Sequence, residues 1–277
     1  MLKKYGVVFL IVLLGVTLIV ACGRRRNSGG KKEDGGGGQA KPKYVSKGNE
    51  GTITGKVMFE GTPPTFEPID MTQDSFCSAN GNKTPDNVVI HDGKLKNVFV
   101  YVKGPGVDGN SFDVGGPVTL DQHGCRYEPR VLGLMAGQTL RVLNSDSTGH
   151  NIHPSPKYNP DVNKAQAANA APIELTFRNP ETLIPVKCNQ HPWMKSNVGV
   201  LNHPFFAVSG DDGSYTISGV PPGDYTLIFW HEVFGEQPPQ SIKVAANGSV
   251  TQDFTFKAGA GAKPATFLRV EPVLVLP

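Results

Sequence analysis

Three side chains that commonly bind metals lie within one seven-residue stretch, Cys188-Asn-Gln-His191-Pro-Trp-Met194. They are a thiol, an imidazole and a thioether. This combination favours copper, because soft sulfur holds copper(I), imidazole accepts copper(II), and a weak axial thioether completes the trigonal blue-copper pattern. That pattern needs a second histidine, and His150 lies 38 residues upstream of Cys188. We therefore predict a copper site built from His150, Cys188, His191 and Met194.

Three neighbouring residues could shape such a site. Asn151 follows His150, where its amide could tie the two ligand segments together by hydrogen bonds. Pro192 stiffens the loop and removes a backbone donor. Trp193 could shield the metal from water, which tunes its potential. Ordinary core packing is an equally good interpretation of Trp193.

Alternatives stay open for two of the ligands. His153 could replace His150, because the alternation of Asn and His residues in this stretch leaves the assignment ambiguous. Met194 could be core filler, which would leave a three-ligand site. The isolated histidines His91 and His123 are interpreted as structural or surface residues.

Composition limits the fold class and the partners. A chain of 277 residues can hold one or two domains, and its net charge of +3 gives no argument for nucleic-acid binding. Short apolar runs separated by turn residues predict an all-β protein. The run 98–102 predicts a strand buried on both faces. Strand patterns at 183–187 and 198–201 flank the Cys188 loop and place it at the end of a sheet.

The N-terminus has the pattern of an export signal. Lys3 and Lys4 precede an apolar run that ends in Ile19-Val-Ala-Cys22. Small residues before a cysteine resemble a bacterial lipobox, so we predict a signal peptide over 1–21 and lipidation of Cys22. The alternative is an uncleaved membrane anchor.

Two low-complexity segments lie outside the predicted strands. The Gly/Lys-rich residues 22–50 cannot bury enough apolar surface to order themselves, and they predict a flexible tether. Residues 258–277 are expected to form a mobile tail.

The four cysteines divide among three roles. Cys22 is assigned to lipid and Cys188 to metal, which leaves Cys77 and Cys125. Disulfides persist in exported proteins. A bridge closing a loop of about 49 residues would contribute roughly 4 kcal/mol in the chain-entropy model. Two buried free thiols are the alternative.

The metal-binding pattern resembles that of the cupredoxin family. Cys-x-x-His-x-x-Met, preceded by Asn-x5-His-Asn-x-His, is most similar to amicyanin, whereas plastocyanins have a longer gap before the methionine. The resemblance covers residues 117–203. It implies a Greek-key β-sandwich with His150, Cys188, His191 and Met194 as ligands of one type 1 copper. The polar stretch 154–172 is expected to be a long loop.

A second resemblance covers Asp212 to Leu227. It is similar to the regulatory-like domain associated with carboxypeptidases, a transthyretin-like β-sandwich whose opening strand resembles Gly51-Thr-Ile-Thr-Gly-Lys-Val. We expect this module to combine 51–116 with 204–257, with the copper domain inserted. The alternative is a larger copper domain at 51–203 followed by a small module.

Peptidase machinery is missing from the sequence, which has no His-x-x-Glu motif or zinc-spaced set of Glu and His residues. His231-Glu232 is therefore interpreted as a structural corner rather than a catalytic pair.

Together these features predict a membrane-tethered one-electron carrier and not an enzyme. It would be lipid-anchored to a bacterial membrane on the periplasmic or cell-surface side. Its expected partners are redox proteins, namely an exported dehydrogenase, a cytochrome or a respiratory complex. Electrons are expected to leave through an exposed edge of His191. Two alternatives are a copper-delivery lipoprotein without redox turnover and a surface interaction protein.

Overall fold

The computed structural model describes residues 41–259, so the predicted signal peptide, Cys22 and most of the predicted tether and tail lie outside the described part. Within that part the chain is almost entirely β-structure, which confirms the predicted all-β class. None of the helices in this range is both long enough and apolar enough to cross a membrane.

Twenty strands and two short helices follow one another along the described chain. The first half contains β1 (Gly51–Glu60), α1 (Ser75–Asn80), β2 (Ile90–His91), β3 (Lys94–Leu95), β4 (Phe99–Lys103), α2 (Pro105–Asp108), β5 (Val118–His123), β6 (Arg126–Glu128), β7 (Val131–Met135), β8 (Thr139–Asn144) and β9 (His150–Pro154). The second half contains β10 (Lys164–Gln166), β11 (Ile173–Thr176), β12 (Glu181–Lys187), β13 (Lys195–Leu201), β14 (Phe206–Val208), β15 (Ser214–Val220), β16 (Gly223–His231), β17 (Gly235–Glu236), β18 (Gln240–Val244), β19 (Ser249–Thr251) and β20 (Phe254–Lys257).

Two sheets enclose the first hydrophobic core. One has the order β15-β1-β3-β2, with β19 and β20 also paired to β1, and the other has the order β14-β4-β16-β17, with β18 beside β16. Residues along β1 alternate between buried and more exposed, as expected for a strand with one face on a core. The core draws on residues 53–107 and 205–256.

A second pair of sheets encloses the core that lies beneath the predicted copper ligands. Its sheets have the orders β10-β9-β12-β13-β7 and β11-β8-β5-β6. The pairs β5–β8 and β7–β13 are parallel, and the remaining neighbours in these two sheets are antiparallel. Buried residues from both sheets, between 120 and 200, form one cluster that includes Cys188 and Met194.

The two sheet pairs contact each other through the outer faces of β4 and β16 on one side and β7 and β13 on the other. Phe99, Tyr101, Val131, Leu201 and Ile228 belong to this contact. It explains why β4 is buried on both faces, as its continuous apolar sequence predicts.

Glycines make this close contact possible. Gly133 and Gly199 are register partners on β7 and β13. A Cβ atom on Gly199 would lie 2.5 Å from the Phe99 ring, and one on Gly133 would lie 2.4 Å from the Phe206 ring. Only glycine lets the aromatic rings lie directly on the backbone here.

A buried ion pair crosses the same contact. Arg130 donates two hydrogen bonds from Nη2 to the Glu232 carboxylate, at 2.8 and 2.9 Å, and one from Nη1 to Asp86 at 2.6 Å. Glu232 also accepts from Asn197 at 3.2 Å. Every charge in this buried cluster therefore has a partner, as burial requires.

The structure corrects one expectation from the sequence and leaves two others as predictions. The stretch 154–172, expected to be a long loop, contains the short strand β10, which pairs with β9. The domain boundaries and the transthyretin-like resemblance stay predictions.

Replacing Gly199 with alanine should destabilise the protein, although alanine is otherwise better than glycine inside a strand. We expect the free energy of unfolding to fall by about 1–3 kcal/mol, the usual effect of overpacking. Urea unfolding of Gly199→Ala measures this. Gly116→Ala is the matched control, because nothing lies within 4 Å of the added Cβ. Equal stability of both variants would show that the Phe99 ring does not need the space.

Candidate metal centre

The Cys188 loop closes a hairpin at one end of its sheet. Lys187 at the end of β12 is the register partner of Lys195 at the start of β13. Within the loop, the Cys188 N–H donates to the Met194 carbonyl at 3.2 Å, and the Met194 N–H donates to the His191 carbonyl at 2.9 Å. These bonds fold the loop back on itself above the second core.

His150 reaches the same end of the sheet from the neighbouring strand. It is the first residue of β9, which pairs antiparallel with β12 so that His153 faces Lys187. The strand therefore begins beside the Cys188 loop and runs away from it along β12.

Three potential ligand atoms converge where these segments meet. His150 Nδ1 lies 2.8 Å from His191 Nδ1, and Cys188 Sγ lies 3.8 Å from His191 Nδ1. All three atoms lie within 4.8 Å of one another, and all three residues are buried. The structure thus brings together three of the four predicted ligands.

The other ring nitrogens face carboxylates. His150 Nε2 lies 2.9 Å from Asp146 Oδ2, and His191 Nε2 lies 3.4 Å from Asp74 Oδ2. Burial by itself raises the pKa of each carboxyl group, but hydrogen bonds outweigh it and lower both pKa values. Ionised carboxylates only accept, so each Nε2 carries the proton that it donates.

This arrangement fits a bound metal ion. With protons on both Nε2 atoms, both Nδ1 atoms are lone-pair acceptors, and they face each other and a sulfur. Such donors repel unless a cation lies among them, and either a proton or a metal ion meets that requirement. Imidazole nitrogen and thiolate sulfur suit copper or zinc.

The thiol is set up to ionise. Burial by itself raises the pKa of Cys188, but hydrogen bonds with His150 and His191 lower it to about 6. For His150, burial by itself lowers the pKa, but the hydrogen bond with Asp146 raises it to about 8. Near neutral pH the pair thus favours a thiolate, which is the form that binds metal.

Asn151 links the two ligand segments. Its side-chain oxygen accepts from the Asn189 N–H at 2.7 Å and the Gln190 N–H at 3.4 Å, and it lies 3.3 Å from Cys188 Sγ. Its amide nitrogen donates to Asn163 at 2.9 Å. One buried side chain therefore holds the start of the Cys188 loop against β9.

The remaining predicted residues take different positions. Met194 is fully buried and packs in the same cluster as Cys188. Pro192 is exposed at the tip of the loop. Trp193 is half-buried with its ring 5.1 Å from that of His191, and it packs against both the second core and the Cys77–Cys125 region.

A disulfide and a short helix cover the site. Cys77 in α1 is bonded to Cys125, and Cys77 Sγ lies 4.0 Å from His191 Nε2. His191 is only 3% exposed. The expectation that electrons leave through an exposed edge of His191 is therefore wrong, because the α1 segment lies over that edge.

The alternative histidines lie elsewhere. His153 Nδ1 lies 3.0 Å from Asn189 Oδ1 and its Nε2 lies 3.3 Å from Asp161 Oδ1, apart from the converging group. His91 and His123 are exposed. His231 is fully buried in a cluster of aromatic rings, with its Nδ1 accepting from the Val233 N–H.

Sequence reasoning missed Asp74 and Asp146. Asp146 lies four residues before His150, within the loop already singled out, so its position was a usable signal. Asp74 is the N-cap of α1 and is 117 positions from His191. No local pattern connects those two residues.

Comparisons with known proteins find matches among solved structures alone. No family model and no curated protein matches the chain. Similar solved structures include a copper-containing nitrite reductase from Thermus scotoductus SA-01, at 23% identity and a TM-score of 0.28, over 30% of this chain and 22% of that one. They also include amicyanin variants: a copper(I) form at 21% identity over 32% of this chain and 85% of that one, and an oxidised form at 23% identity over 31% and 82%. Both have a TM-score of 0.28. The case for a metal site lies in the donor geometry.

The two candidate histidines can be separated by paired variants. His150→Ala should weaken copper(I) binding by more than the roughly 10–100-fold typical of losing an outer hydrogen-bond partner, because it removes a ligand atom. His153→Ala should leave the affinity nearly unchanged. Competition with a copper(I) chelator measures both. A larger loss from His153→Ala would assign the ligand to His153.

Proposed function

We propose that this chain is an exported copper protein that carries single electrons. The observation that carries the proposal is the buried convergence of His150 Nδ1, His191 Nδ1 and Cys188 Sγ, each oriented by a further hydrogen bond or loop contact. Two imidazoles and one thiolate are the strong donors of a type 1 copper site. Met194 is proposed as the weak axial donor.

Bound copper would supply a one-electron couple at this site. The protein's part is to hold the donors in one geometry, so that little rearrangement accompanies a change of charge. The hydrogen bonds of the Cys188–Met194 loop and of Asn151 do this, because they link both ligand segments to rigid strands. Burial of all three donors also excludes water, which affects the potential.

The closed site favours electron transfer over copper delivery. Delivery requires that the ion enter and leave, whereas here α1 and the disulfide lie over the donors. Every group of three or more potential ligands within residues 41–259 includes His150 or His191. This supports a single metal centre in the described part of the chain.

Trp193 is the proposed exit for electrons. Its ring lies next to His191, its Nε1 donates to the Cys125 carbonyl at 3.1 Å, and part of it is exposed. It therefore joins the buried histidine to the surface beside Pro192. Electron transfer slows steeply with distance, so a bridging aromatic ring replaces a gap that would be slow to cross.

We further propose that the protein is lipid-anchored through Cys22 and exchanges electrons with an exported dehydrogenase, a cytochrome or a respiratory complex. The exposed loop residues Asn189, Gln190 and Pro192 carry no charge. Such a surface favours brief docking over a small area, which is typical of redox partners.

Copper-loaded protein should show an intense visible absorption band from the Cys188 thiolate and a reversible one-electron couple. Cys188→Ser should abolish the band, because it removes the sulfur while keeping a side chain of similar size. Visible and EPR spectra together with voltammetry measure this. A colourless copper complex with no reversible couple would rule out the electron-carrier proposal.

Replacing Trp193 with leucine should slow electron self-exchange between oxidised and reduced copper protein several-fold, while the visible band is retained. The matched control is Trp230→Leu, which changes the other tryptophan, located at the contact between the sheet pairs. NMR line broadening in mixed samples measures the rate. An unchanged rate in Trp193→Leu would exclude this route.

A further inference from the structure

We propose that the Cys77–Cys125 disulfide and the carboxylates of Asp74 and Asp146 form a frame that positions His150 and His191 for the metal; this inference rests on the proposed function. Each half-cystine holds one carboxylate through its own backbone N–H, and each carboxylate holds one histidine. The frame therefore has two arms that are joined by the sulfur–sulfur bond.

The Asp146 arm begins in the tight turn between β5 and β6. Gly124 and Cys125 both have positive φ, 59° and 57°, so their N–H groups point to the same side. Asp146 accepts from both, at 2.8 Å each. Consecutive N–H groups in such a turn form a concave site for an anion. Asp146 Oδ2, which accepts from the Cys125 N–H, also lies 2.9 Å from His150 Nε2.

The Asp74 arm begins at α1. Asp74 Oδ1 accepts from the Cys77 N–H at 2.8 Å, which caps the helix. Its other oxygen accepts from the Thr148 hydroxyl at 2.9 Å and lies 3.4 Å from His191 Nε2. Thr148 lies in the loop between Asp146 and His150, so the two arms also meet there.

The disulfide keeps these arms together. Cys77 and Cys125 are 48 positions apart, and both are fully buried in a small cluster with Met71. Trp193 from the ligand loop donates to the Cys125 carbonyl. The α1 segment is thus tied to the β5–β6 turn by a covalent bond, and that turn is tied to the ligand loop by a hydrogen bond.

The frame has two consequences for a bound metal. It fixes both imidazole rings with Nδ1 directed at Cys188 Sγ, which makes the site pre-organised. It also places two negative charges against the ligand rings, and this raises the electron density that the rings offer. Negative charge favours copper(II) over copper(I), so removing either carboxylate should raise the reduction potential.

The two carboxylate–histidine distances predict which aspartate substitution shifts the reduction potential more. The Asp146 contact at 2.9 Å is a good hydrogen bond, whereas the Asp74 contact at 3.4 Å is near the limit. We therefore expect Asp146→Asn to shift the potential more than Asp74→Asn. Asp74→Asn keeps an oxygen that can accept from the Cys77 N–H, whereas Asp146→Asn keeps an acceptor for only one of its two backbone N–H partners. Both variants present an amide in place of a charge.

The test compares the copper-loaded protein with Asp146→Asn, Asp74→Asn and the double variant Cys77→Ala/Cys125→Ala. We expect a higher reduction potential and an altered EPR spectrum in all three, with copper(II) affinity lowered about 10–100-fold in Asp146→Asn. Asp161→Asn is the matched control, because Asp161 pairs with His153, which lies outside the site.

Potentials and spectra equal to those of the unchanged protein, in variants that still fold, would overturn the proposal and leave the disulfide with a purely structural role. If the double cysteine variant fails to fold, the two aspartate variants decide the question.

Zinc(II) affinity of the same variants provides a readout that needs no redox chemistry. If the unchanged protein lacks a reversible copper couple, the electron-carrier proposal fails. The frame is then supported by weaker zinc binding in the aspartate variants and overturned by unchanged binding.

Discussion

The arrangement of the candidate metal centre depends on three electron-rich atoms that face one another in the buried interior. Two imidazole Nδ1 atoms are 2.8 Å apart, and a cysteine sulfur lies beside them. Unscreened, these donors repel, and burial strengthens the repulsion because the local dielectric constant is low. A cation among them turns the same geometry from unfavourable to favourable. A proton or a metal ion meets that need, and the fold holds the donors in one place for either.

The holding forces come from outside the donor set. Asn151 fixes the thiol-bearing loop to β9, while Asp146 and Asp74 fix the far sides of the two rings. These three side chains act on different segments, so no single hydrogen bond carries the geometry. The segments themselves rest on β9, β12 and β13, whose apolar side chains form the second core. Packing of that core is thus what offsets the cost of bringing the donors together.

The sequence allowed the local parts of this site to be predicted, and not the long-range ones. Cys188, His191 and Met194 lie in one loop, and the flanking strand patterns place that loop at a sheet end. His150 was found because copper chemistry requires a second imidazole. The contact between α1 and His191 joins residues more than 110 positions apart, and no periodicity or motif encodes it. The expected exposed edge of His191 was wrong for this reason.

In the proposed electron carrier, burial of His191 would change how the site exchanges electrons with a partner. A cover that excludes water also lengthens the path to the surface, so protection of a bound metal and speed of transfer would oppose each other. The position of Trp193 suits both requirements, because its ring packs under the Cys77–Cys125 cover while part of it stays exposed. Its Nε1–H donates to Cys125, which fixes the ring against His191. Tryptophan suits this position because a large aromatic body can span the cover, while its single donor satisfies a buried carbonyl.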